Sequence, residues 1–282
     1  MTHPPTPATA PPPQLRIVPT ASLRPHEEHD TQRLIPLVER IKHETVMINP
    51  PIVAQIDEQD EQYVVLDGAN RTSAFARLGY PYILVQVVDY HSPFVQLETW
   101  HHVVCAWTVD ELERHLYRLP EIMIEHGDSE MASDVPPLAH IQLRDSHLLT
   151  IAAATQTTQA RNHALSQVVA VYQRNAVLHR TALNQPDHVW SHHPDGVALV
   201  LFPAYRPADV IEAAREHAFV PPGITRHIIH GRALKVNFPL EWLQDADTPL
   251  DEHNRRLSHW IEEKVNRRQV RYYAESTYQF DE

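Results

Sequence analysis

Glycine is scarce in this 282-residue chain, with six in all. A residue used so sparingly marks places where the backbone needs a conformation or an approach that a side chain forbids. Cysteine is scarcer still. Cys105 stands alone, which excludes an internal disulfide and fits a reducing cytoplasm. No apolar run reaches the roughly 18 residues a membrane helix requires, so no membrane association is expected. Basic residues are in deficit, 24 Lys and Arg against 36 Asp and Glu, for a net charge of −12. That argues against a general nucleic-acid surface, because counterion release needs clustered cations. The exception is the run Arg255, Arg256, Arg267, Arg268 and Arg271, which reads as a solvated helix face. The start, Met1 to Gln14, lacks the charged and apolar stretches of a signal peptide, and its prolines predict disorder.

What is present is ordinary for a soluble globular protein: 43% hydrophobic and 21% charged residues, in a chain long enough for one large domain or two small ones. Leu15 to Pro19 predicts an edge strand closed by proline. Arg33 to His43 carries Leu34, Leu37, Val38 and Ile41 at helical spacing, with Pro36 tolerable in a first turn. Ile52 to Ile56 and Tyr63 to Asp67 are β-rich runs around an acidic turn, a hairpin. Ile83 to Val88 is a further strand. Later, Leu112–Leu119, Ile141–Ala154 and Gln159–Ala182 predict helices, Val197–Phe202 a strand, and Pro207–His217 a helix with proline in its first turn. Ile224–Ile229 and Ala233–Phe238 predict a strand pair around Gly231, and Gly127–Pro137 a flexible loop.

Strand chemistry turns abruptly to helix chemistry at Gly68-Ala69-Asn70-Arg71, which leads into an apolar helix closed by Gly79. A glycine between strand and helix leaves amide donors and a positive dipole end facing outward, and Arg71 adds a charge with bidentate geometry. Such a turn suits a phosphate. It equally suits a plain tight turn with Asp67 as the helix cap and Arg71 on the surface.

Leu66-Asp67-Gly68-Ala69-Asn70-Arg71 resembles the D-G-x-H-R box of the ParB/sulfiredoxin superfamily, with Asn70 where the family usually has His. Within that superfamily the chain is similar to the free-serine kinases, one of which serves siderophore biosynthesis. The similarity runs through His26-Glu27, Arg33, Pro51-Ile52-Val53, Thr99-Trp100-His101-His102 and Val220-Pro221-Pro222-Gly223-Ile224-Thr225-Arg226 with Gly231-Arg232. The resemblance implies an α+β chain: a ParB/sulfiredoxin-like nucleotide-binding domain over 15–92, then a larger mixed α/β domain over 93–282 that completes the substrate site. It implies phosphorylation of free L-serine by ATP or ADP with Mg²⁺. Glu27 matches the catalytic glutamate, with Glu28 its rival by adjacency. Gly68, Ala69, Asn70, Arg71 and Thr72 would hold phosphate. Asp67 would bind Mg²⁺, orient the hydroxyl or cap the helix. Arg33, Trp100, His102, Thr225, Arg226 and His227 would border the amino acid.

Two other classes fit less well. A ParB-like nucleotide switch or DNA-partition protein needs a helix-turn-helix and a basic face, and a sulfiredoxin-like repair enzyme needs a cysteine in the box. The chain holds 21 histidines, but His101-His102 and His192-His193 are adjacent pairs rather than i, i+4 ligands. No transition-metal site is expected on that ground.

Overall fold

The computed structural model describes residues 10–29, 31–57, 60–127 and 135–273. Most of the proline-rich start, and residues 128–134 of the expected loop, lie outside the described residues. The architecture is mixed, with sheets and eight α-helices among the described residues.

The chain opens with β1 (Gln14–Pro19), β2 (Leu23–Pro25), α1 (Thr31–His43), β3 (Val46–Met47), β4 (Ile52–Asp57), β5 (Asp60–Asp67), α2 (Ala69–Arg77) and β6 (Tyr82–Val88). Five strands form one sheet in the order β1-β6-β4-β5-β2. β4 and β5 make the expected antiparallel hairpin, and β1 lies at an edge against β6. α1 buries Leu34, Val38 and Ile41 as a stripe at helical spacing. Because α1 begins at Thr31, Pro36 is its sixth residue, past the first turn that would tolerate it without loss. The exposed ring there forgoes one backbone hydrogen bond.

Next come β7 (Val95–Thr99), β8 (His101–Cys105), α3 (Val109–Leu116), β9 (Ile122–His126), β10 (Ala139–Leu143), β11 (Leu148–Ala153), α4 (Thr158–Asn175), β12 (Val177–Thr181), α5 (Pro186–His192), β13 (Gly196–Leu201) and α6 (Pro207–Arg215). Six of these strands form an antiparallel sheet, β12-β8-β13-β10-β11-β9. The helix expected over 141–154 is instead the β10–β11 hairpin. Its turn contains Ser146 at φ +73°. β11 is buried over nearly its whole length, and a short apolar run buried on both faces has no periodicity to separate strand from helix. The helix expected to reach Ala182 stops at Asn175, and β12 pairs with β8. Pairing with a central strand overrides the local helical pattern there.

The chain closes with β14 (Thr225–Ile229), β15 (Phe238–Pro239), α7 (Leu240–Gln244) and α8 (Leu250–Asn266). β14 pairs with β7, and β15 with β3, rather than with one another as expected around Gly231. Residues 233–237 carry no strand. Lys235 and Asn237 both take positive φ, which breaks an extended run.

By compactness the chain divides into two units, neither continuous in sequence. The first takes residues 1–25, 29–96 and 227–282; the second takes 26–28 and 97–226. The sequence places 93–282 in one domain, but its last segment belongs to the first unit. Phe238, Leu240, Leu243 and Leu257 are buried in the same core as Ile17, Leu84 and Phe75. Asn254 also brackets the Ile17 backbone, accepting from its N–H and donating to its carbonyl, both at 2.9 Å. The second unit is built around Val104, Ile141, Ile151, Val168, Tyr172 and Val200. His26–Glu28 join it through Val220, whose N–H donates to the His26 carbonyl at 2.8 Å and whose carbonyl accepts from Glu28 at 3.0 Å.

Candidate active site

In the first unit, β5 delivers Asp67 and the chain turns at Gly68 into α2. Gly68 takes φ +94°, and a Cβ there would meet Pro51 Cβ at 3.0 Å and Pro51 Cα at 3.1 Å. Glycine is therefore required on both counts. No side chain caps α2 at Gly68, so the helix start presents amides and the positive end of its dipole. Ala69, Asn70 and Arg71 lie half-buried in this first turn. Thr72, expected to share in phosphate binding, is buried. Its N–H returns to the Gly68 carbonyl at 2.9 Å, and its hydroxyl has no partner among the described residues. Asp67 accepts a hydrogen bond from Arg232 at 2.5 Å in a half-exposed ion pair. Arg232 is thus a site candidate the sequence reading left without a role, although Gly231-Arg232 stood among the matched segments. Arg33 lies exposed on α1.

In the second unit, the segment Val220–Thr225 wraps around the carboxylate of Glu27. Glu27 Oε2 accepts from the Gly223 N–H at 3.2 Å, and Oε1 accepts from the Thr225 N–H at 3.2 Å and from the Thr225 hydroxyl. That hydroxyl spends its one proton on Glu27, so His26 Nε2, 2.8 Å away, must be the donor to it. His26 and Thr225 are both buried, and the Glu27 side chain keeps 17% exposure. Glu28 is exposed, with one long contact from Ser166 at 3.4 Å. Of the two adjacent glutamates, Glu27 is the one the fold holds in place.

Gly223 sits at φ +77°, and a Cβ there would come within 2.0–2.3 Å of the Arg180 guanidinium. Arg180 Nη2 donates to the Pro222 carbonyl at 3.2 Å. Beneath this loop His102, expected at the rim of the amino-acid site, is fully buried. Its Nε2 donates to the Gly223 carbonyl at 3.3 Å, and its Nδ1 accepts from the Tyr172 hydroxyl at 2.8 Å. Burial pushes the imidazole down to about 4, with Arg180 adding to the effect and the Gly223 carbonyl opposing it. His102 is therefore neutral at physiological pH and supports the loop from below. Burial likewise holds the Tyr205 phenol above its usual range; Arg161 opposes this, and Glu27 adds to it. Arg180 and Tyr205 had no signal in the sequence, because each lies far along the chain from Glu27.

Trp100 and Arg226 come together in the second unit. The guanidinium lies 4.4 Å over the indole and donates to Glu98 at 3.0 Å. Its fork carries five N–H donors, so Glu98 does not exhaust it. His227 belongs to the first unit and bonds the Tyr90 hydroxyl at 2.7 Å.

No protein-family model matches the chain. It is similar to an ATP-dependent L-serine kinase of Staphylothermus marinus, 26% identical over 79% of this chain and 88% of that protein. It is also similar to the ATP-dependent L-serine kinase SbnI of Staphylococcus aureus, 25% identical over 83% and 85%. A solved free serine kinase in complex with AMP superposes with a TM-score of 0.71, covering 83% of this chain and 95% of the other at 16% identity. The fold is that of the free serine kinases. Among the described residues, no helix is long and apolar enough to cross a membrane.

Proposed function

We propose that this protein is a kinase that transfers the terminal phosphoryl group of a nucleotide to the hydroxyl of free L-serine, giving O-phospho-L-serine. The observation that carries the reading is the held carboxylate of Glu27, in a chain similar in sequence to ATP-dependent L-serine kinases over most of its length. A primary hydroxyl is a weak nucleophile, and an oriented carboxylate that takes its proton supplies what the step needs.

Glu27 accepts the proton of the serine hydroxyl as its oxygen bonds to the terminal phosphorus. The bond from that phosphorus to the bridging oxygen breaks, and the shortened nucleotide leaves. Thr225 and the amides of residues 223 and 225 keep the carboxylate aimed, and His26 fixes the Thr225 hydroxyl. The first unit acts as a ParB/sulfiredoxin-like nucleotide module. The Gly68 turn, with the α2 amides and Arg71, fits a phosphate group, because it combines a dipole end without a side-chain cap and a guanidinium. Asp67 fits as an oxygen ligand for Mg²⁺, since one carboxylate can accept from Arg232 and ligate a hydrated ion together. When bound, Mg²⁺ neutralises charge on the phosphate oxygens. Arg226, stacked on Trp100, and Arg180 are the cations of the second unit suited to the carboxylate of the amino acid.

Incubation with L-serine, Mg²⁺ and either ATP or ADP should yield phosphoserine, and chelation should stop it. A protein that phosphorylates a serine-containing peptide but not the free amino acid would refute the assignment.

A further inference from the structure

A second cluster of reactive side chains stands elsewhere in the second unit. Cys105 Sγ and a ring nitrogen each of His179 and His193 lie within 4.8 Å of one another. Cys105 ends β8, and His179 lies on the neighbouring edge strand β12. In that antiparallel register Cys105 faces Val177 and Val103 faces His179, so the thiol and the imidazole share one face of the sheet, two residues apart. α5 packs on the same face through Val189, against Val103, Cys105 and Leu199. His193 follows directly on α5, at the start of a turn closed by the Gly196 N–H to the His193 carbonyl at 3.0 Å. The Trp190 ring fixes this turn, since a Cβ at Gly196 would meet it at 2.9 Å.

We propose that Cys105, His179 and His193 bind a zinc ion, with water in the fourth position, as a structural clamp joining the edge of the six-stranded sheet to the end of α5.

The donor set decides the metal class. A thiolate with two imidazoles suits Zn²⁺ and its analogue Co²⁺, whereas Mg²⁺ takes oxygen ligands. Zinc bond lengths of about 2.0–2.3 Å place tetrahedral donors roughly 3.3–3.8 Å apart, so the three must close by about 1 Å. His179 is exposed on an edge strand and can make that movement. Cysteine ligates a metal as the thiolate, so the Cys105 proton must leave on binding. Affinity therefore rises with pH. Adjacent histidines in the sequence gave no hint of the site, because its donors come from two strands and a turn rather than from one helix.

The test uses the full chain stripped of metal, titrated with Zn²⁺ by calorimetry and with Co²⁺ by absorption. One tight equivalent is expected, with a thiolate-to-cobalt charge-transfer band, tetrahedral visible bands and a raised Tm. Cys105→Ala and His193→Ala should each weaken binding at least about tenfold and Cys105→Ala should abolish the charge-transfer band, while His192→Ala should change neither. His179→Ala alters an exposed side chain and gives the same loss should the buried cysteine variant fail to fold. A cobalt spectrum without the thiolate band, or tight one-to-one binding that survives His193→Ala, overturns the proposal.

Discussion

Lowering the pH should destabilise the protein through His102 in particular, by an amount the structure sets. The folded value of about 4 lies below the ordinary 6.5, because burial penalises the imidazolium. As pH falls, the unfolded chain therefore takes up this proton first. The contribution is fully present above about 6.5 and is lost progressively down to about 4. Roughly 2.5 units at about 1.36 kcal/mol each give about 3 kcal/mol. His101, whose value burial also lowers, adds a slope of the same sign, so the measurement must be differential. Urea unfolding of wild type and His102→Gln, from about pH 7 down to about 4.5, isolates the His102 contribution. Glutamine can donate to the Gly223 carbonyl and accept from Tyr172, but it does not titrate in this range. The variant starts less stable and should lose less on acidification. Parallel curves would refute the assignment of a neutral, buried His102 beneath the loop.

Three further outcomes follow from the same geometry. Glu27→Gln should lower turnover about 10²–10⁴-fold with nucleotide affinity near wild type, while the exposed Glu28→Gln stays active; steady-state phosphoserine formation separates them. Arg71→Ala should weaken nucleotide binding roughly ten- to a hundredfold by calorimetry, the loss of a charge-assisted contact of about 1.5–3 kcal/mol, with serine KM little changed. Gly223→Ala forces a side chain into left-handed backbone at about 1–2 kcal/mol and evicts the Arg180 guanidinium, so it should lower stability and raise serine KM together. An unchanged KM would remove Arg180 from the site.

The strand-to-helix turn at Gly68 was legible because its signals are local. A β-branched run, one glycine and a helical period fall within a dozen residues, and Gly68 stands where they meet. β4, β5 and α6 were legible for the same reason. The β10–β11 hairpin was not, since Leu148–Ala153 is buried on both faces and carries neither period. Nor was the partition of the chain. Nothing local to Asn254 says that it will bond Ile17, 237 residues away. The setting of Glu27 belongs to this second kind. Its partners at Gly223 and Thr225 lie 196 and 198 residues along the chain, so composition alone reads the His26–Glu28 stretch as a solvated acidic loop.

That long-range setting changes what the glutamine variant means. A loop carboxylate in solvent could be altered without cost to the fold, but Glu27 receives two backbone N–H groups and a hydroxyl from the loop around Gly223. Glutamine keeps one acceptor oxygen and turns an NH₂ toward either the Gly223 amide or the Thr225 pair. One donor then faces another donor, and a partly buried amide left unmatched costs about 1–3 kcal/mol. Glu27→Gln should therefore lower Tm as well as turnover. The two losses are separable, because only folded enzyme turns over. At a temperature where circular dichroism shows the variant fully native, the deficit in kcat must remain. A deficit that vanishes there would make Glu27 a staple for the loop and not the base, and Asp67 would be the next carboxylate to test.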